Sequence, residues 1–498
     1  MLLTILALVP LVGGLVVWFL RGSTSRYVGV AVALATLALS LVVAAQQLGG
    51  ANLSEHVLWI KAFGAYYALG LDGMGLLMVL LTTVLVPVVL LAEPSDESGR
   101  WGGHVKTALV LILESLSLYV FLATDVLLFY LFFEATLIPM YFLIAGWGGA
   151  KRAKAAVKFL LFSLAGGLVM LFSVIGVGVS YAAQGAPSYL IEDLAKLNVA
   201  PSLEMLLFIG FFVAFAVKAP MVPVHTWLPD TAEQATPGTS TLLVGILDKI
   251  GTFGMIRFCL GLFPEASRLA TPVIVVLALI SILYGALAAI GQKNLLRLVA
   301  FTSVSHFGFM VLGVFALTTQ SISGSIFYML NHGFSTAALF LVVGYLAKRR
   351  GSVQITDFGG VFQKAPVLAG ILLLGGLASL SLPGMGSFVG EFLVLAGTWS
   401  RYPVVAAVAT LGMVLAALYI LIMYQRTMTG PATEQTTQHI TTDASWAERL
   451  AVAPVIVLLL LTGFFPKPVL DLSDQTAKQS MTTMNISDPV PAAGKEGK

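Results

Sequence analysis

The chain has 498 residues, 58% hydrophobic and only 10% charged, with mean hydropathy +0.95; soluble domains carry roughly 25% charged residues, so a soluble globular class is excluded. A dispersed net charge of +3 excludes a nucleic-acid binder. The single cysteine, Cys259, lies in an apolar run without a CxxC or Cys/His cluster, and no iron–sulfur, haem, flavin or nucleotide signature appears, so electron transfer is not expected on this chain.

Apolar runs of about 18 or more residues recur from end to end, which predicts an all-α polytopic membrane protein with about fourteen transmembrane helices. They lie near 2–20, 27–47, 70–92, 104–122, 124–146, 153–180, 204–222 with a continuation to 234, 238–261, 271–290, 295–316, 322–347, 366–399, 403–426 and 447–466. The first run places its basic residue, Arg21, after the apolar stretch, so a retained helix is expected rather than a signal peptide. Short loops imply one membrane domain over 1–470, with helices 1–3 in 1–100, one repeat in 104–261, a second in 271–426 and the last helix at 447–466. The polar stretch 471–498 is expected to be an exposed tail. Most loop lysines and arginines fall in odd-numbered loops, which places those loops in the cytoplasm and both termini on the periplasmic side of a bacterial inner membrane.

Two long segments are broken. The seventh, EMLLFIGFFVAFAVKAPMVPVHTWLPD, carries Lys218 just before Pro220 and Pro223, then resumes with His225 and Trp227. The twelfth, ILLLGGLASLSLPGMGSFVGEFLVLAG, breaks at Ser381-Leu382-Pro383-Gly384 and carries Glu391. Proline and glycine are common in membrane helices, yet two interrupted segments five helices apart point to inverted repeats around a midplane site. The expected repeats are helices 4–8 and 9–13, with helices 7 and 12 broken.

The ionisable groups inside apolar runs are few: Glu114, Glu134, Lys218, Asp248, Lys249, Arg257 and Glu391, with His225, His306 and His332. A lone charge at mid-membrane costs about 2.5–3.5 kcal/mol on insertion scales, so such groups face a bundle interior or water, and rows of them mark ion or proton pathways. Each has a blander reading. Glu134 has the alternative reading of a structural buried carboxylate, and Glu114 that of a helix-contact residue. Asp248 and Lys249 are adjacent, so their side chains diverge by about 100° and do not share a face; Asp248 is expected to pair elsewhere. Arg257 lies near its helix end and is expected to snorkel to the interface. His225 reads also as a cap or loop residue, and His306 and His332 as satisfied core histidines. Histidine pairs at i, i+3 or i, i+4 are absent, so no metal site is expected.

The strings LLFYLFFEATLIPMYFLIAGWGG, AVKAPMVPVHTWLPD, GILDKIGTFGMIRF, LRLVAFTSVSHFGFMVLGV and LPGMGSFVGEFLVL together resemble the antiporter-like membrane subunits of respiratory complex I and of Mrp-type cation/proton antiporters, in matching order over roughly 70–430. Within that superfamily the chain is most similar to the M-type subunits of bacterial proton-translocating NADH:quinone oxidoreductase. It has Glu391 where L- and N-type subunits usually have lysine, it lacks a long C-terminal lateral helix, and LIPMYFLI follows Glu134. The resemblance implies that Glu134 pairs with Lys218, that Lys249 is the central lysine, that His306 and His332 bridge, and that Glu391 is the terminal proton site; Glu114 and His225 are further candidates. It also implies that NADH, FMN, iron–sulfur clusters and quinone belong to other subunits, and that the neighbours are L- and N-type subunits. The chain departs from relatives at Gln292-Lys293-Asn294-Leu295-Leu296-Arg297, at Thr231–Thr239 after WLPD, and at Asp248, where relatives usually carry an apolar residue.

The expected function is proton translocation driven by quinone reduction elsewhere in the complex. An ionised Glu134 favours charged Lys218; at an effective dielectric of about 20 and about 4 Å a unit pair interacts by roughly 4 kcal/mol, enough to redirect a proton when the pair separates. The proton would pass to Lys249, then by His306 and His332 to Glu391. The alternatives are a stand-alone Mrp-like Na⁺/H⁺ antiporter, which would use much the same carboxylates, and a structural scaffold between neighbouring subunits.

Overall fold

The computed structural model describes residues 1–93 and 99–489. Helices α1 (Leu2–Phe19) and α2 (Ser23–Leu48) lead into an antiparallel hairpin, β1 (Ser54–Ile60) and β2 (Ala65–Gly70), in which Glu55 faces Leu69 and Val57 faces Tyr67. The hairpin corrects the expectation of a purely helical chain. The connection is too short and polar to span a membrane, and its aromatic and β-branched residues suit a pleated, half-buried surface. It is held from outside: Tyr66 N donates to Asp125 Oδ2 at 2.9 Å and Tyr189 N to the Gly64 carbonyl at 3.1 Å.

The bundle continues with α3 (Gly73–Ala92), α4 (Gly103–Leu122), α5 (Val126–Gly146, interrupted at Thr136), α6 (Arg152–Ala182) and α7, which is Pro201–Lys218 followed across a turn by Trp227–Gln234. Then come α8 (237–260), α9 (Pro264–Ile290), α10 (Leu295–Phe315), α11 (Thr319–Arg350), α12 in two halves (Pro366–Ser379 and Gly386–Arg401), α13 (Pro403–Met428), α14 (Trp446–Phe464) and α15 (Lys467–Thr483). Polar caps start several of them: Asp72 accepts from Gly75 N, Asp125 from Leu128 N and Asn294 from Arg297 N, and Thr318 with Ser321 closes a capping box.

Among the described residues twelve helices are long and apolar enough to cross a membrane. The two expected spans outside that set are both interrupted: α8 passes through π-helical turns at Leu243–Leu247 and Met255–Leu260, and α12 is split. The apolar windows of α10 and α11 are 100% buried, whereas those of α1, α2, α6, α13 and α14 are 28–39% buried. The polar groups of α10 and α11 therefore sit at the centre of the bundle, with α1, α2, α6, α13 and α14 presenting apolar faces outward. The expected exposed tail from 471 is, up to Thr483, part of α15, which buries Ser473, Ala477 and Met481 and is tied to α11 by a Ser323–Asp474 hydrogen bond; residues 490–498 lie outside the described residues.

Charged clusters tie helix ends. Glu93 accepts from Lys106 Nζ at 2.6 Å, Thr236 Oγ1 at 2.9 Å and Gly238 N at 2.6 Å, joining the ends of α3, α4 and α8. Asp230 binds Lys158 and Arg297, each at 2.6 Å, so Arg297 pairs with the second half of α7 despite the unusual sequence around it. Arg349 grips Glu448 in a fork, at 2.9 and 2.7 Å. Arg257, expected to snorkel, instead pairs with Asp72 at 2.8 Å, because the first residue before α3 lies alongside the end of α8.

Candidate functional site

The break in α7 follows from proline chemistry: Pro220 has no N–H and cannot continue the ladder. The freed carbonyls are recovered locally, Ala216 by Met221 N at 3.0 Å and Val217 by the Trp227 indole at 3.1 Å. Lys218 is the last residue before this turn and is 1% exposed. Its ammonium lies 4.8 Å from the centroid of Phe133 and 5.9 Å from that of Phe159, a cation–π setting worth about 2 kcal/mol when desolvated.

Glu134 stands next to Phe133 on α5, half-buried, and its carboxyl occupies space that a side chain at Gly167 on α6 would fill. The expected direct pairing with Lys218 is not formed, since Lys218 Nζ has no hydrogen-bond partner among the described residues; the phenyl ring takes the lysine head instead.

Lys249 is fully buried on α8. The π-helical turn before it loosens the backbone ladder, as such bulges do, and Lys249 Nζ donates to the Val244 carbonyl within that turn at 2.9 Å. The same Nζ lies 2.7 Å from His332 Nδ1 on α11 and 4.7 Å from the Phe307 ring centroid on α10.

From His332 a polar line runs on through the core. The His332 and His306 rings are 5.2 Å apart, centroid to centroid. His306 Nδ1 hydrogen-bonds the Tyr328 hydroxyl, while its Nε2 lies 3.2 Å from Ser379 Oγ and 3.3 Å from the Tyr419 hydroxyl. Tyr328 also donates to Glu391 Oε2 at 3.1 Å, and Ser381 donates to the same oxygen. Gly390 makes this approach possible, because a Cβ there would strike the Tyr328 backbone at 2.8 Å. Ser381 adopts φ 58° in the break of α12, a conformation uncommon for a non-glycine residue, and that turn directs its hydroxyl to Glu391. The order along the line is thus Lys249, His332, His306, Tyr328, Glu391, with His332 rather than His306 next to the lysine.

The remaining sequence-derived candidates lie apart from this line. Glu114 on α4 is 1% exposed, with neither oxygen hydrogen-bonded among the described residues. His225, in the α7 turn, packs edge-on to Tyr284 with centroids 5.1 Å apart and is not bonded to Lys218. Asp248, expected to pair elsewhere, has no hydrogen bond on either oxygen among the described residues. Sequence reasoning missed Tyr328, Ser379, Ser381 and Tyr419. Tyr328 had a signal, since it lies four residues before His332 on one helical face. Among the described residues no group of three or more histidine, cysteine or carboxylate side chains is placed to hold a metal ion.

Residues 123–418 match the family model for the transmembrane domain of the NADH:quinone oxidoreductase/Mrp antiporter family. The chain is 46% identical to NADH-quinone oxidoreductase subunit M of Mycobacterium tuberculosis, over 98% of this chain and 96% of the relative, and 38% identical to that subunit of Escherichia coli, over 95% and 96%. Respiratory complex I from Thermus thermophilus contains a chain that superimposes with a TM-score of 0.89 at 32% identity, covering 97% of this chain and 99% of that one. A chain of the Mrp complex from Dietzia has the same fold, with a TM-score of 0.83 at 22% identity over 97% and 99%.

Proposed function

The chain belongs to the NADH:quinone oxidoreductase/Mrp antiporter family, among its subunit M members, and from that premise we propose how it moves protons within complex I. It is an antiporter-like membrane subunit of NADH-quinone oxidoreductase rather than a stand-alone antiporter, and is part of a multisubunit bacterial membrane assembly. We further propose L- and N-type subunits as its neighbours, both termini on the periplasmic side, and inverted repeats over helices 4–8 and 9–13 in a fourteen-helix count.

The observation that carries the mechanism is the buried line from Lys249 through His332, His306 and Tyr328 to Glu391. Every member can hold or hand on a proton. An ammonium has only donors, a neutral imidazole has one donor and one acceptor, and a phenol and a carboxyl can do both, so the line can carry a proton in steps. Glu134 and Lys218 act at its entry. When the ionised Glu134 carboxylate comes closer, Lys218 is favoured as ammonium; when it withdraws, only the faces of Phe133 and Phe159 remain and the proton is released toward Lys249 through water. Glu391 receives it between the hydroxyls of Tyr328 and Ser381 and delivers it outward. Redox work on other subunits supplies the drive.

Glu134→Gln and Lys218→Ala, each in the assembled complex reconstituted into proteoliposomes, test this role. Both should abolish coupled proton uptake, and near-normal uptake in both sinks the assignment. Failure of the chain to co-purify with NADH dehydrogenase subunits would return the antiporter reading.

A further inference from the structure

Asp248 is fully buried with both carboxylate oxygens unpartnered among the described residues, and the steps above leave it unused. Its orientation follows from two glycines. A Cβ at Gly254 would strike the Phe215 ring at 2.3 Å, and one at Gly251 would strike Ala219 N at 2.5 Å and the Phe215 carbonyl at 2.6 Å. Going back along α8 from Gly254 to Gly251 therefore advances along α7 from Phe215 to Ala219, at the end of its first half. Asp248 is three residues before Gly251, on the same face of the helix, and comes level with the turn that begins at Lys218. Lys249 is turned about 100° away, toward His332 on α11. Read across the helices, carboxyl and amine side chains alternate: Glu134, Lys218, Asp248 and Lys249.

We propose that Asp248 is the proton carrier between Lys218 and Lys249, joining the entry pair to the buried line. The inference rests on the function proposed above. The Lys218 ammonium releases a proton through water to the Asp248 carboxylate, leaving an amine and a carboxylic acid. Once Lys249 has passed its own proton to His332 and is neutral, the acid protonates it and the carboxylate is regenerated. One proton has moved, and only N–H and O–H bonds have changed.

The test compares protons translocated per NADH oxidised by assembled complex in inverted membrane vesicles. Asp248→Asn should lower that ratio by the share that Lys249→Ala removes, and Asp248→Glu should restore most of it. Lys249→Ala is the control for the underlying reading. If Lys249→Ala loses pumping while Asp248→Asn pumps like the parent, this inference fails alone; if both pump normally, the reading beneath it fails. Asp248→Ser serves as the second carboxylate-free variant. Failure of both carboxylate-free variants to assemble, with Asp248→Glu assembling, assigns Asp248 a structural role and overturns the proposal.

Discussion

Lys249 Nζ sits 2.7 Å from His332 Nδ1, a direct side-chain link between α8 and α11. An ammonium only donates, so while Lys249 is charged His332 accepts at Nδ1 and carries its own proton on Nε2, the nitrogen with no partner among the described residues. The imidazole is thereby set to take a proton from one side and lose one from the other. His332→Ala should lower NADH-driven proton pumping by about tenfold, equivalent to roughly 1.4 kcal/mol of barrier. Lys249→Ala should lower it at least as far. Because the two act in series, the double variant should be no worse than Lys249→Ala. Fully additive losses, read from dye quenching in vesicles, would show that they act independently.

Among the described residues, Tyr328 is the only side chain that hydrogen-bonds both His306 and Glu391. Tyr328→Phe keeps the ring and removes the connecting hydroxyl. Pumping should fall by about tenfold while assembly is retained, and Tyr328→His should recover part of the loss because imidazole can still donate and accept. A Phe variant that pumps at the parental ratio would remove Tyr328 from the path.

The charged groups of this path and its two histidines, His306 and His332, were legible in the sequence, and the hydroxyls that connect them were not. Lys218, Lys249 and Glu391 stand out because an ionisable group in an apolar run needs a reason to be there. The breaks at Pro220 and Pro383 stand out because proline cannot continue the ladder. Tyr328, Ser379, Ser381 and Tyr419 do not stand out, since hydroxyls are ordinary in membrane helices and only their convergence on His306 and Glu391 gives them weight. The π-helical turns of α8 were invisible because a run apolar on every face has no period to disturb. The β1–β2 hairpin and α15 were hidden for a related reason: α15 fills core positions with Ser473, Thr476 and Ser480, which read as polar. The separation of Glu134 from Lys218 depends on where the Phe133 ring rests, and residue spacing does not report that.

Gly167 gives Glu134 its place. A methyl group there would strike the Glu134 carboxyl, a flexible end that can swing away. Gly167→Ala should therefore assemble and yet shift the Glu134 carboxylate, lowering pumping by a few-fold, equivalent to about 1 kcal/mol of barrier. The matching control is Gly185→Ala, where a Cβ would meet nothing within 4 Å. Equal pumping in both variants would show that Glu134 needs no fixed position.

Glu93 lies just beyond the end of α3 and offers a pH test. Burial acts to raise its carboxyl, but the Lys106 charge and hydrogen bonds from Lys106, Gly238 and Thr236 outweigh that, and the group is held below its usual range. A carboxyl lowered in the folded state stabilises the fold above its unfolded value, and that contribution is lost as pH falls through the folded value. Glu93→Gln removes the charge at every pH and leaves Lys106, which is 8% exposed, without its counter-ion. Charge-assisted bonds of this kind are worth about 2 kcal/mol, so the purified variant should melt measurably lower than the parent at neutral pH. The gap should close in acid, where the parent carboxylate is itself protonated. A melting-temperature gap of the same size at neutral and acidic pH would mean that Glu93 contributes shape rather than charge.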